Sequence, residues 1–356
     1  MSILAGQVDF VIGVDTHKDT HTAAVVDALG GVREHATMAA GAAGYDAMLG
    51  WAREAAPGRR IWAIEGTGSF GAGLTACLLA AEEWVCEVDR PKRPSRKGGA
   101  KSDQIDAARA AREALAAKHL GQPRRRGSRE ATRVLQITRK QAAEIEARAI
   151  RHLRNLVINA PEPLRARLRL LSGARLVTTC AKLRWAPSQS VEWNATMSAL
   201  RSTAVRAQAA AREAAELEKQ LAILVNEEHP QLVAEMGVGP VVAARLSCAW
   251  SHRGRMRSES AFARLTGTAP IPASSGQVVR YRLNPGGDRQ LNSALHMVLV
   301  TRLGFDARTK AYVARRRAEG KSDREIYRCL KRYLSRHLFR VMESGWTNKF
   351  SDLDKP

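Results

Sequence analysis

One stretch narrows the choice of fold more than any other: Val11-Ile12-Gly13-Val14-Asp15, followed by Thr16-His17-Lys18-Asp19. A short apolar run that ends on a carboxylate reads as a buried strand carrying an acid out of a sheet. After the polar bend come Thr22, Ala23, Ala24, Val25 and Val26, then Asp27 and the Gly30-Gly31 pair. Two apolar runs split by a bend and closed by a glycine turn predict an antiparallel hairpin. A carboxylate at the buried end of a strand costs desolvation energy unless a cation pairs with it. A metal ion is one such cation. For one Asp alone, capping of the turn is the simpler account.

Asp15 has company. Ile61-Trp62-Ala63-Ile64 is a second apolar run, and it too ends on an acid, Glu65, before Gly66-Thr67-Gly68. A third cluster, Lys101-Ser102-Asp103-Gln104-Ile105-Asp106, falls where a helix should start. Three residues apart, Asp103 and Asp106 share one helix face, and a Ser or Asp here also suits an N-cap. Two strand-end acids and a helical pair can gather four carboxylates around divalent ions. Hard oxygen ligands of this kind suit Mg²⁺ or Mn²⁺, and two such ions can clamp a phosphoryl transfer.

The remaining composition points the same way. A formal net charge of +22 over 356 residues calls for a polyanionic partner, and nucleic acid is the default. Phosphate contacts give affinity without sequence readout, so affinity should fall log-linearly with salt. The five cysteines are scattered singly, with no Cys-x-x-Cys or Cys/His pairing. This argues against a structural zinc and against a disulfide framework. With no signal peptide and no apolar run long enough to span a bilayer, a cytoplasmic protein with no membrane partner is expected.

In chain order, residues 1–118 alternate short apolar runs with Gly- and Ala-rich helical stretches, an α/β pattern. Helices are predicted over 44–55 and 72–82, and strands over 61–64 and 85–88. The basic loop Asp89-Arg90-Pro91-Lys92-Arg93-Pro94-Ser95-Arg96-Lys97 adjoins the Asp103/Asp106 cluster and is read as contacting phosphate rather than only solvent. Residues 119–230 read as almost wholly helical after Arg124-Arg125-Arg126 and Arg129. Leu135, Ala142, Ala149 and Leu156 recur every seven residues with Ile145 and Leu153 between them, until Pro161 and Pro163. After a bend marked by Trp185, Pro187 and Trp193, Leu200, Ala207, Ala214 and Leu221 repeat the period, with Thr203, Ala210, Leu217 and Leu224 between. This small-residue seam predicts a close-packed coiled coil, whose partner is either the first helix or another subunit.

From 231 to 345 the chain again reads as mostly helical. Met236-Gly237-Val238-Gly239-Pro240 opens a helix through Trp250, and a glycine turn at a helix start can hold a phosphate. An apolar approach, Leu265 to Ala273, then meets Ser274-Ser275-Gly276, followed by Arg280 and Arg282. Such a loop is rich in Ser and Gly for backbone reasons alone, and a nucleophilic serine would need activation that the nearby arginines could assist. Tyr312 to Arg340 is an arginine-dense helix or helix pair facing nucleic acid.

The order of these pieces resembles a known family. Gly13-Val14-Asp15-Thr16-His17-Lys18, Glu65-Gly66-Thr67-Gly68, Lys101-Ser102-Asp103-Gln104-Ile105-Asp106-Ala107, Gly237-Val238-Gly239-Pro240 and Ser274-Ser275-Gly276 match the DEDD transposases of bacterial insertion sequences. This is the one-hundred-ten insertion-sequence family, described as bridge-RNA-guided recombinases. The resemblance implies a ribonuclease-H-like (RuvC-like) domain over 1–118, a helical coiled-coil linker over 119–230 and a C-terminal transposase domain with a serine loop over 231–345. It further implies that Asp15, Glu65, Asp103 and Asp106 bind Mg²⁺ or Mn²⁺, and that the serine before Gly276 attacks DNA. That residue is Ser275, with Ser274 its close competitor. Ala273 and Gln277 flank the pair where the family pattern differs. Lys18, Lys92, Arg93, Arg96, Lys97, Arg124, Arg125, Arg126, Arg280 and Arg282 are the expected nucleic-acid contacts.

Implied partners are donor and target double-stranded DNA, a structured guide RNA, and further copies of the chain as a dimer or tetramer. Three readings compete: a metal-dependent nuclease or junction resolvase without serine chemistry, an actin-like kinase or ATPase, and a non-catalytic nucleic-acid scaffold. The charge, the Asp103/Asp106 pair and the basic coiled coil argue against the kinase. The four acids argue against the scaffold.

Overall fold

The computed structural model describes residues 4, 6–88, 102–184, 190–273, 281–282 and 284–344. Two compact units divide the chain, Met1–Arg125 and Arg126–Pro356.

In the first unit five strands form one sheet in the order β3-β2-β1-β4-β5. β1 (Phe10–Thr16) pairs antiparallel with β2 (Thr20–Asp27), the hairpin that the two apolar runs predict. Gly30, at φ +89°, supports the turn into β3 (Val32–Ala39), which sequence reasoning missed. That strand has no fully buried residue, so no apolar alternation marks it. β4 (Arg60–Glu65) and β5 (Val85–Val88) run parallel to β1, reached through α1 (Ala42–Ala55) and α2 (Ala72–Ala80).

Alternation along the strands decides which face carries what. Ile12, Val14, Trp62 and Ile64 pack with Met48 and Ala52 of α1 and with Leu74 and Leu78 of α2. Val11, Ile61 and Ala63 face the other way, against Ala110, Ala111 and Ala114 of α3 (Asp103–Ala116). Ser102 takes the N-cap position of α3, with extended backbone. Helix α3 lies close to the sheet because Gly13 leaves room for it. A Cβ at position 13 would sit 2.0 Å from the Ala107 carbonyl oxygen and 2.5 Å from the Ala111 nitrogen, both backbone atoms. Gly13→Ala is therefore expected to destabilise the first unit by about 3 kcal/mol, read as a lower midpoint in chemical denaturation. An unchanged midpoint would mean that α3 gives way without cost.

The second unit begins with a helical hairpin. α4 (Ser128–Ile158) and α7 (Val191–Glu228) pack antiparallel along their length, with Arg139 Nη2 donating to Glu218 Oε2 at 2.8 Å. The seam partner of α7 within the chain is therefore α4. Ala142, Ala149 and Leu153 are buried from one side and Leu200, Thr203, Ala207, Ala210, Ala214 and Leu221 from the other. These small side chains let the two backbones approach. Ile145, expected in the seam, is 44% exposed, because at that point the buried stripe runs through Ala142, Ala149 and Leu153. α5 (Glu162–Leu168) and α6 (Gly173–Ala181) close one end of the hairpin through Leu164, Leu168, Leu176 and Cys180.

At the other end, Leu221 and Val225 enter a core shared with later helices. These are α8 (Pro230–Val233), α9 (Pro240–Trp250), α10 (Glu259–Leu265), α11 (Arg289–Phe305), α12 (Ala307–Ala318) and α13 (Asp323–Ser344). The arginine-dense tail is thus a helix pair, α12 and α13. β6 (Ile271–Pro272) and β7 (Tyr281–Arg282) form a two-residue antiparallel ladder. Gly237, at φ +86°, abuts α11: a Cβ there would lie 3.0 Å from the Val298 carbonyl oxygen. Close packing on α11 thus accounts for that glycine.

Glu259 ties α10 to α13, accepting from Arg332 Nη1 and Nη2 at 2.7 Å each and from Arg336 Nε at 3.3 Å. The Arg332 hydrogen bonds, acting against burial and joined by Arg336, hold the Glu259 carboxyl well below its ordinary 4.5, at about 2. A depressed carboxyl pKa adds stability that is present above pH 4.5 and lost as the pH falls towards 2. Glu259→Gln should lower the melting temperature by about 3 °C at pH 7. The gap from the parent should narrow between pH 5 and pH 3. A gap that does not change with pH would show that the carboxylate charge is not what links the helices.

Candidate metal and nucleic-acid site

The site is built at one end of the first unit's sheet. Val14 pairs with Ile64 in the parallel register of β1 and β4, so Asp15 and Glu65 follow as neighbours at the carboxyl ends of adjacent strands. Val14 and Ile64 face α1 and α2; by alternation, Asp15 and Glu65 project to the α3 side. Thr16 Oγ1 donates to the Glu65 carbonyl at 3.0 Å and ties the two strand ends together. The first turn of α3 brings Asp103 and Asp106 to the same face.

Three of the side chains converge. Asp15, His17 and Asp103 each offer a ligand atom, and all these atoms lie within 4.8 Å of one another. His17 Nε2 is 3.2 Å from Asp15 Oδ2 and 3.6 Å from Asp103 Oδ1. Two carboxylates and an imidazole form a donor set that suits a divalent cation such as Mn²⁺ or Mg²⁺, the oxygens matching either and the nitrogen leaning to the softer ion. The residues present fit a metal. Asp106 stands outside this tight group and accepts from Arg109 Nη1 at 2.8 Å. Glu65 also stands outside it, on the neighbouring strand end.

His17 is the member that sequence reasoning did not single out. Its signal was present: it follows Asp15 by two residues, just past the end of β1, within reach of the same end of the sheet. The nearby His21 is a different case. It is buried, stacks on Tyr45 at 5.6 Å, and burial lowers its pKa, so it is a neutral core histidine.

Of the expected nucleic-acid contacts, Lys18 is exposed at the β1–β2 turn beside His17. The Arg124 side chain passes over Gly68, where a Cβ would meet its Cδ at 3.7 Å. The Glu65-Gly66-Thr67-Gly68 turn thus carries a cation. Arg124 and Arg126 are exposed and Arg125 half-buried. Arg129 in the same run has a structural role, donating from Nε and Nη2 to the Cys248 carbonyl at 3.2 and 3.0 Å. Arg282 is exposed on β7. Lys92, Arg93, Arg96, Lys97, Ser274, Ser275 and Arg280 lie outside the described residues. No disulfide joins any of the five cysteines, and burial pushes the Cys86 thiol up to about 12. Among the described residues, no helix is long and apolar enough to cross a membrane.

Two family models match this chain. One, for the DEDD-type IS110 transposase, covers residues 12–159 and so spans the three converging side chains, Glu65 and Asp106. The other, described as Transposase IS116/IS110/IS902 family, covers residues 231–314. The chain belongs to the IS110 family of transposases. Its activity is accordingly that of a DNA transposase, and its substrate is DNA. No curated protein matches it. The kinase and scaffold readings fall with this assignment.

Proposed function

We propose that this IS110-family transposase cuts and rejoins DNA with a divalent-metal site in its first unit and a serine nucleophile in its second. The convergence of Asp15, His17 and Asp103 within 4.8 Å carries the first half of the proposal. Asp15, Glu65, Asp103 and Asp106 would hold Mg²⁺ or Mn²⁺ from one face of the sheet. A divalent ion there supplies positive charge to a phosphodiester and lowers the barrier to its cleavage. The chain's own residues do the rest: Asp15 and Glu65 are fixed by the strand ends, Asp103 and Asp106 by the helix turn. Lys18, Arg124 and Arg125 lie on the same unit and bind phosphates, and Arg126, the first residue of the second unit, continues the basic run.

Residues 1–118 are proposed as a ribonuclease-H-like (RuvC-like) domain. Three antiparallel strands continued by two parallel ones, with helices on both faces, support this. Residues 119–230 serve as the coiled-coil linker and 231–345 as the transposase domain. Ser275, or Ser274 beside it, attacks phosphorus: an Oγ–P bond forms, a P–O ester bond breaks, and the hydroxyl proton passes to a base. A structured guide RNA and a dimer or tetramer complete the assembly. Family membership supports these parts.

The test is strand joining by the full-length protein on DNA carrying the element ends and a target, with a candidate guide RNA from the element. Joining that needs Mg²⁺ or Mn²⁺ and stops in chelator is expected. Joining that persists in excess chelator would overturn the metal reading.

A further inference from the structure

In the second unit a cleft of about 720 Å³ is walled by the turn after α10, by β7 and by the helix pair α12–α13. Among the described residues its lining includes six cations, Arg282, Arg316, Lys321, Arg328, Lys331 and Arg332, and a single acid, Glu325. Two of the cations are already engaged, Arg332 by Glu259 and Arg316 by Glu319. Glu325 accepts from the backbone N–H and the hydroxyl of Ser322 at 3.0 and 2.8 Å. Arg282, Lys321, Arg328 and Lys331 make no ion pair among the described residues.

Lys331 is the telling member. Its Nζ donates to Asn292 Oδ1 at 2.7 Å, and Asn292 is fixed in turn by Nδ2 donating to the Thr266 carbonyl at 2.9 Å. The half-buried ammonium therefore rests on a neutral amide beside other cations. Burial, and then Arg328, lower its pKa. A half-buried charge without a counter-ion is costly, and an arriving anion relieves that cost.

Two aromatic rings share the lining. Tyr281 is 56% exposed and Tyr333 52% exposed. Tyr333 is braced edge-on by Tyr312 at 5.9 Å, and the Tyr281 carbonyl accepts from Arg328 Nη1 at 3.4 Å. Cations beside open aromatic faces are the chemistry of single-strand binding, in which phosphates meet charge and bases stack on rings. An intact duplex presents phosphates but no free base face. A cleft of this size suits a ligand of small-molecule dimensions.

We infer that this cleft holds one or two unpaired nucleotides of a nucleic-acid strand. Phosphate would meet Lys331 and Arg328, with Arg282 and Lys321 further along the strand, and a base would lie on Tyr281 or Tyr333. The inference rests on the nucleic-acid partner of the transposase reading and is independent of the metal and of the serine.

The test uses full-length protein and 5-iodouracil-substituted strands: single-stranded DNA, single-stranded RNA and blunt duplex DNA. Photocrosslinks from a single strand should map to Tyr281 or Tyr333. Arg328→Gln with Lys331→Gln should lower the slope of log affinity against log salt by about two for single strands. Tyr333→Ala should weaken single-strand binding about tenfold, and Tyr333→Phe should restore it. Stronger effects in the DNA arm would identify the strand as substrate, and stronger effects in the RNA arm as an RNA partner. Arg148→Gln with Arg151→Gln, on the exposed side of α4, is the charge control. An equal loss in that control, or crosslinks on unmodified protein that map outside the cleft, overturns the inference. Failure to bind duplex DNA as well would count against the transposase reading itself.

Discussion

Asp15→Asn should abolish strand joining, by at least about a thousandfold, while DNA affinity stays within about twofold of the parent. The amide keeps the size of the side chain, so β1 and its pairing to β2 and β4 are undisturbed. It removes one of the two negative charges of the converging group, 3.2 Å from His17 Nε2. A neutral amide oxygen is a weak ligand for a hard divalent ion. DNA affinity rests instead on the phosphate contacts of a chain with net charge +22. Asp19→Asn, on the exposed turn and outside the converging group, is the matched control and should join strands normally. The comparison needs strand-joining rates, salt titrations of DNA binding and melting curves for all three proteins. Full joining activity in Asp15→Asn would remove this acid from the chemistry.

The parts of the fold legible in the sequence were those in which burial writes a period. β1 and β4 stand out because Val11–Val14 and Ile61–Ile64 are apolar runs in a sheet covered on both faces, and β5 because Val85, Cys86 and Val88 are buried around a single Glu87. The heptads of α4 and α7 were legible for the same reason, since each presents a stripe to the other. β3 was not, because its side chains are exposed or half-buried and an edge strand needs no apolar face. Ile145 shows the limit of a heptad: an apolar residue on the period can still be 44% exposed when smaller neighbours make the contact. Choosing α4 as the partner of α7 needed tertiary packing, which no period specifies.

The site was half legible. Strand-end acids and an i,i+3 pair are a local signal, and they led to Asp15, Glu65, Asp103 and Asp106. Which of them lie within a ligand's reach depends on how closely α3 approaches the sheet, and that approach is set by Gly13 and the Ala107–Ala111 backbone. The resulting tight group contains Asp15 and Asp103 together with His17. The cationic cleft of the second unit left a weaker trace. Its residues come from the turn after α10, β7, α12 and α13, and only folding assembles them.

Ser275→Ala should lose every covalent protein–DNA adduct while remaining folded and able to bind DNA. A serine hydroxyl is a poor nucleophile at neutral pH and needs a base, a metal or nearby cations. Neither His nor Lys adjoins Ser274-Ser275-Gly276 in sequence, so a nucleophilic serine here would need activation from elsewhere in the fold or from a second copy. The acids belong to the first unit and the serine to the second, each compact in itself. Such a division lets one copy supply the acids and another the serine. Ser275→Ala and Asp15→Asn would each be inactive alone. Mixed in equal amounts, they should recover about a quarter to a half of the parent activity, because some assemblies then pair an intact acid set with an intact serine. Adduct formation is read on denaturing gels and the attachment site by peptide mapping. An adduct on Ser274 would move the nucleophile by one residue. No adduct on any serine, with joining intact, would leave the chemistry to the acids alone. No recovery on mixing would place both halves of the site in one chain.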